Sequence, residues 1–187
     1  MSRSSASLPE AILLTVLLTA LGLGAAVPGA AQDPPAELSL PDLNGFVASR
    51  LRVALEIAGA DSLQAGTINI GYDPGILAPL PPTLAPGPLW QSLPGIWGAS
   101  IPADSVLRIA FSTSDPTGFV GSGVLFTFDV DLIGAGTSPL AFRSILLERT
   151  PDIQLPARGR DGSIAAVPLV VDATTWGRVK GLFADPR

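Results

Sequence analysis

Residues 124–132 read Val124-Leu125-Phe126-Thr127-Phe128-Asp129-Val130-Asp131-Leu132. Val124, Phe126, Phe128, Val130 and Leu132 fall on one side of an extended chain, with Thr127, Asp129 and Asp131 on the other. A period of two with one polar side is the pattern of a half-buried β-strand, because successive side chains point to opposite faces. Upstream, Arg50-Leu51-Arg52-Val53-Ala54-Leu55-Glu56-Ile57 repeats it, setting Leu51, Val53, Leu55 and Ile57 against Arg52 and Glu56. Residues 67–72 do so again, with Ile68, Ile70 and Tyr72 inward and Thr67 and Asn69 outward. Leu107, Ile109 and Phe111 mark a further strand. Shorter candidates follow at Leu140 with Phe142, at residues 145–147, and at Ile164 with Ala166.

Turn formers punctuate these runs. Asp73-Pro74-Gly75 closes the strand ending at Tyr72, and clusters of Gly, Pro, Asp and Ser occupy 58–61, 113–123, 134–139 and 157–162. Many short alternating strands separated by turn signals specify an all-β, antiparallel β-sandwich.

Two stretches depart from the pattern. Residues 77–100 carry Pro79, Pro81, Pro82, Pro86, Pro88 and Pro94 together with Trp90 and Trp97, too much proline for a central strand, so a long ordered loop or an edge segment is expected. Residues 172–183 place Trp176, Val179, Leu182 and Phe183 at helical spacing behind Thr174 and Thr175, which predicts a short amphipathic helical segment.

The amino-terminal region has the order of a secretory signal peptide: Arg3, then an apolar run from Ala11 to Val27, then Pro28-Gly29-Ala30-Ala31. A membrane anchor would want about 20 apolar residues, and Gly22 and Gly24 interrupt this shorter run. The expected organisation is therefore a signal peptide at 1–31, a flexible leader at 32–37, a sandwich at 38–167 and a tail at 168–187. Export to the cell exterior is the expected location, with no membrane attachment after cleavage.

Composition narrows the chemistry. The chain has no Cys and no His, so it can build no thiolate nucleophile, no His-based triad and no imidazole or thiolate metal site. Its 16 Asp and Glu leave a carboxylate-pair hydrolase formally open, yet their spacing selects no two that must converge. The net charge of −5, with basic residues scattered singly, offers no stripe for nucleic acid or anionic lipid. A non-catalytic binding protein without a cofactor or metal is the expectation.

From about Leu38 to Val167, the order of sequence blocks resembles a cohesin domain, the β-sandwich module of cellulosome scaffoldins that also occurs in bacteria without cellulosomes. The blocks are Val53-Ala54-Leu55-Glu56-Ile57-Ala58-Gly59-Ala60, Ile70-Gly71-Tyr72-Asp73-Pro74-Gly75-Ile76-Leu77, Leu107-Arg108-Ile109-Ala110-Phe111-Ser112, Gly121-Ser122-Gly123-Val124-Leu125-Phe126-Thr127-Phe128, Gly134-Ala135-Gly136-Thr137-Ser138-Pro139-Leu140 and Asp161-Gly162-Ser163-Ile164. Tyr72-Asp73-Pro74 followed by an aliphatic pair is the most specific of them. The resemblance implies a jelly-roll sandwich of about nine strands, related to carbohydrate-binding modules, that serves in attachment to a protein or a carbohydrate. It implies a calcium-loaded dockerin as the best-known partner, held against one flat sheet face. The family's Asn and Asp contacts on the strand ending in Tyr-Asp-Pro fall here at Ala65 and Thr67, so the dockerin contacts are altered. Asp161-Gly162 lacks the alternating Asp and Asn of a calcium loop, so the chain carries no dockerin of its own.

Three sets of residues are candidates for binding, each with a plainer alternative. Thr67, Asn69, Thr127, Asp129 and Asp131 form a polar outward set that suits a protein partner, although outward charge also simply keeps a sheet soluble. Trp90 and Trp97 could stack sugar rings of a polysaccharide; as readily, they cover the open end of the sandwich as core. Trp176, Arg178, Lys180 and Phe183 could form a docking tail, or Trp176 and Phe183 could pack back on the sandwich.

Overall fold

A computed structural model of the chain describes residues 34–91, 93–150 and 153–169. Twelve strands follow in order: β1 (Ala36–Ser39), β2 (Asp42–Phe46), β3 (Arg50–Leu63), β4 (Ala65–Gly71), β5 (Leu77–Pro86), β6 (Gly95–Ala103), β7 (Val106–Thr113), β8 (Phe119–Leu132), β9 (Gly136–Thr150), β10 (Ile153–Leu155), β11 (Ala157–Arg160) and β12 (Gly162–Val167). They form two sheets packed face to face. One has five strands in the order β11-β1-β3-β8-β5; the other has seven, six of them in the order β2-β12-β9-β4-β7-β6 and the seventh, β10, paired to β9 off that path. The all-β sandwich expected from alternation is the observed architecture; the strand count exceeds nine because short segments at both ends of the described chain also pair.

The alternating residues build the core. Val53, Leu55 and Ile57 from β3, Ile68 and Ile70 from β4, Leu107, Ile109 and Phe111 from β7, and Phe126, Phe128, Val130 and Leu132 from β8 are all buried between the sheets. Ile164 and Ala166 of β12 join them, as does Leu140 of β9.

The departures from strict alternation have one physical cause, the β-bulge, in which an extra residue reverses which side chains face inward. Val124 was expected inward, but the β3–β8 register passes from Leu55↔Phe126 to Glu56↔Val124, leaving Leu125 as the extra residue. Leu125 is therefore buried and Val124 only half-buried. In β9 the register against β4 skips Arg143, which joins the Leu140–Phe142 run and the 145–147 run into a single strand. Residues 58–61 and much of 113–123, read as turns, are bulged continuations of β3 and β8. There Gly59 and Gly121 take positive φ of 68° and 124°, and the Gly59 amide donates to Ser122 Oγ at 3.0 Å.

Both ends of the described chain change sheets. β1 pairs in parallel with β11 in the five-stranded sheet, and β2 pairs in parallel with β12 in the seven-stranded one. The two crossings press together: a Cβ at Gly162 would lie 2.3 Å from the Pro41 carbonyl oxygen, so only glycine fits there. Beside it, Asp161 Oδ1 accepts a hydrogen bond from the Phe142 amide at 2.8 Å, a structural use for the Asp161-Gly162 pair.

The proline-rich stretch resolves into two edge strands, β5 and β6, joined by a turn that inserts Trp90. Trp90 is fully buried, with its ring edge-on to Phe111 at 5.2 Å and tilted against Phe126 at 5.9 Å. The Asp73-Pro74-Gly75 turn forms as expected, with Asp73 Oδ1 accepting from the Gly75 amide and the Asp73 carbonyl accepting from Ile76 and Leu77. β1 begins at Ala36, inside the segment expected to be a leader, and Ala36 is buried. The expected signal peptide at 1–31 and the helical segment at 172–183 lie outside the described residues.

Candidate binding face

The five polar residues expected to share one face belong to two. Thr67 and Asn69 stand on β4, in the seven-stranded sheet; Thr127, Asp129 and Asp131 stand on β8, in the five-stranded sheet. Opposite outer surfaces of a sandwich cannot contact one small partner together.

On the five-stranded sheet the acidic residues are already engaged. β3 lies antiparallel to β8 with Arg52 opposite Asp129 and Arg50 opposite Asp131. Arg52 Nε donates to Asp129 Oδ1 at 2.8 Å, and Arg50 Nε to Asp131 Oδ1 at 2.7 Å, with a second, longer contact in each pair. Asp129 is nearly buried at 9% exposure, because β5 runs along this edge and Thr83 Oγ1 accepts a hydrogen bond from the Asp129 amide. The hydrogen bond from Arg52 holds the Asp129 carboxyl below the usual carboxylate range, against the opposing pull of burial; Arg50 does the same for Asp131. Each of these outward carboxylates therefore has an intramolecular partner directly across the ladder.

The outer face of the seven-stranded sheet is different in kind. The registers of β9, β4, β7 and β6 align its side chains in rows. One row is Ser144, Asn69, Arg108 and Ser100. Here Asn69 donates through Nδ2 to Ser144 Oγ at 2.7 Å and accepts through Oδ1 from Arg108 Nε at 3.1 Å. The next row is Leu146, Thr67, Ala110 and Gly98, and the one beyond is Glu148, Ala65, Ser112 and Ile96. Short side chains fill the middle of these two rows, with Leu146 and Glu148 at the β9 margin and Ile96 at the β6 margin. The result is a shallow, mainly apolar hollow of about 390 Å³, walled by Leu146, Glu148, Ile96 and Trp97 and floored by Ala65 and Ala110. Ile96 is 76% exposed, so the rim presents apolar surface to solvent.

Of the two tryptophans weighed as either sugar platform or core, Trp90 is core and presents no ring to solvent. Trp97 is 40% exposed on β6 and stands alone, without a second exposed aromatic ring beside it among the described residues. Trp176, Arg178, Lys180 and Phe183 lie outside the described residues. Among the described residues no cluster of acidic side chains could hold a metal ion, and no helix is long and apolar enough to cross a membrane.

Sequence reasoning found Thr67 and Asn69 but missed Leu146, Ala110 and Ile96, which make the hollow around them. Ala110 was legible, since it lies between the inward Ile109 and Phe111. Leu146 was not, because the bulge at Arg143 hides its phase, and Ile96 sits in a stretch whose prolines obscure any strand.

The architecture is a jelly-roll sandwich with one self-paired outer face and one open outer face. More particularly, this is the cohesin fold. The non-cellulosomal cohesin of the archaeon Archaeoglobus fulgidus matches with a TM-score of 0.61 at 14% identity, covering 78% of this chain and 98% of that one. A type I cohesin–dockerin complex from Clostridium thermocellum matches at 0.62 and 14%, covering 74% and 97%. The seventh ScaB type I cohesin from Pseudobacteroides cellulosolvens gives 0.60 and 13%, covering 73% and 94%. No family model matches the sequence, and no curated protein matches it.

Proposed function

We propose that this chain is an exported, non-catalytic attachment module of cohesin type that holds a protein partner against the outer face of β9, β4, β7 and β6. The observation that carries this reading is the hollow beside Thr67: an exposed apolar depression, bordered by the Ser144–Asn69–Arg108 polar row, on a sheet face that no other strand covers among the described residues. Apolar centres with polar margins are the usual anatomy of protein interfaces. Structural neighbours include cohesins solved in complex with dockerins, which supports a protein as the partner class. A dockerin as such would have to be received by Ala65 and Thr67 rather than by Asn and Asp, so its contacts would be more apolar. Export rests on the order of charge, apolar run and small residues in 1–31, and the tail at 168–187 is read as lying outside the module.

The test is retention of a protein partner from the medium by immobilised wild type, by Leu146→Asp and by Arg158→Glu, the last an exposed position on β11 of the other sheet. Retention lost in Leu146→Asp and kept in Arg158→Glu is expected. The reverse pattern, or retention on insoluble polysaccharide alone, overturns the reading.

A further inference from the structure

The polar row that borders the hollow is built around a guanidinium whose direction is fixed. Ser144 Oγ accepts from Asn69 Nδ2, which orients the Asn69 amide, and Asn69 Oδ1 accepts from Arg108 Nε. One of the N–H donors of Arg108 is thereby used. Those on its two terminal nitrogens have no partner among the described residues.

A second guanidinium lies beside it. Arg143 is the extra residue of the β9 bulge, so Arg143 and Ser144 are both exposed instead of alternating. Gly71 shares the outward phase of β4 with Thr67 and Asn69, and the Arg143 guanidinium fills the space that a Cβ at Gly71 would take. Gly71 pairs with Val106 of β7 and Asn69 with Arg108. Arg143 over Gly71 and Arg108 are therefore diagonal neighbours on one surface, at strand positions about 7–8 Å apart.

Neither arginine makes an ion pair among the described residues. The carboxylates at this end of the sheet serve elsewhere: Asp73 Oδ1 accepts from the Gly75 amide and Asp161 Oδ1 from the Phe142 amide. Asp104, in the turn between β6 and β7, pairs with neither arginine. Arg158 and Arg160 lack carboxylate partners as well, but they stand on β11 of the other sheet, away from the hollow.

Three features together select the occupant. A carboxylate matches the planar fork of a guanidinium, and an anion relieves the repulsion between two cations at this spacing. The apolar row of Leu146, Thr67 and Ala110 lies two residues along each strand from Ser144, Asn69 and Arg108, a step of about 7 Å. Glu148 stands on the far wall of the hollow, so an anionic group is directed to the arginine end. A lone anion would leave the hollow empty. A polypeptide with an acidic residue one strand step or one helical turn from an apolar one engages both.

We propose that Arg108 and Arg143 bind a carboxylate of the partner, so that this face takes an acidic protein segment whose Asp or Glu lies beside an apolar side chain seated in the hollow. The proposal rests on the hollow being the docking face and adds the chemistry of what docks there. Asn69 and Ser144 are positioning residues that hold the Arg108 fork in place.

The probe is a phage-displayed library of random peptides selected on the immobilised full chain. Leu146→Asp, Arg108→Gln and Arg143→Gln are run in parallel, with Arg158→Gln on β11 as control; all four change exposed residues and should keep the wild-type melting temperature. Wild type and the control are expected to enrich peptides with Asp or Glu close to Leu, Ile, Val or Phe, and Leu146→Asp to enrich none of them. A synthetic peptide from the selection should lose about tenfold in affinity when its acidic residue becomes the amide. It should lose about as much against Arg108→Gln, and little more when both changes are combined. Arg108→Lys, which keeps the charge but not the fork, should recover only part of that loss. Peptides that depend on Leu146 but carry no acidic residue overturn the arginine assignment and leave the hollow as the docking face. So do peptides held as tightly by Arg108→Gln and Arg143→Gln as by wild type. Enrichment of no peptide that depends on Leu146 overturns the hollow and this proposal with it. Retention on polygalacturonate through the two arginines, without peptide enrichment, overturns it in favour of an acidic polysaccharide.

Discussion

The two outer faces of this sandwich carry similar outward residues and put them to opposite uses. On the five-stranded sheet, Asp129 and Asp131 meet Arg52 and Arg50 directly across the ladder, so their charge is consumed within the fold. On the seven-stranded sheet, Thr67 meets Leu146 on one side and Ala110 on the other, neither of which can satisfy or cover it. Alternation along one strand shows which residues point outward. Whether they are available to a partner is decided by the residues opposite, which lie far away in sequence. A face is a property of register.

The largest effect separates inside from outside on a single strand. Phe128 is buried and Thr127 is its outward neighbour, so Phe128→Ala should cost about 3–5 kcal/mol of unfolding free energy and Thr127→Ala less than about 0.5 kcal/mol, read by urea denaturation. Comparable losses at both would mean that the outer face of β8 is itself packed, and the contrast between the faces would collapse.

A smaller effect separates the faces by binding. Leu146→Asp puts a charge on the rim of the hollow and should weaken the partner by about tenfold or more, close to 1.4 kcal/mol, while leaving the melting temperature nearly unchanged. Isothermal titration against the captured partner supplies the number. Asp131→Asn, on the opposite face, should leave the affinity as it was; a loss there equal to that of Leu146→Asp would show that the paired carboxylates are part of the interface after all.

Much of the sandwich could be read from the chain because its inward residues are large, apolar and strictly alternating where β3, β4, β7 and β8 are regular. The Tyr72-Asp73-Pro74 block marked the end of β4 for a local reason, since the Asp73 side chain closes its own turn. The errors cluster at bulges. Leu125, Arg143 and the Gly59–Gly121 region each shift the phase by a residue, and no local composition announces which residue is the extra one. The binding face was legible only in part, through Thr67 and Asn69, because the hollow depends on four strands arriving in register. Two of them, β6 and β9, were masked by prolines and by a bulge. Trp90 was left open between core and platform; its burial follows from Phe111 and Phe126, brought beside it from different sheets.

The smallest effect tests the pairing itself, through pH. Asp129 and Asp131 have folded-state carboxyls held below the usual range, first by the hydrogen bonds from Arg52 and Arg50. A depressed folded value means that the unfolded chain binds more protons as acid is added. The stabilisation is therefore complete above the unfolded carboxylate value of about 3.9 and is lost as pH falls through the lower folded values. Asp115, held down by the Thr117 hydroxyl and amide, adds the same slope to any variant that retains it. The double variant Asp129→Asn, Asp131→Asn keeps the shape of both side chains and removes only their charge, so its melting temperature should fall less steeply than that of wild type below about pH 4. At neutral pH the double variant should be slightly less stable than wild type, and the gap should narrow at high salt, because both arginines are largely exposed and their attraction is screened. Parallel melting curves for the two proteins throughout the acid range would mean that the arginine contacts contribute nothing. The five-stranded face would then be as open to a partner as the one across the sandwich.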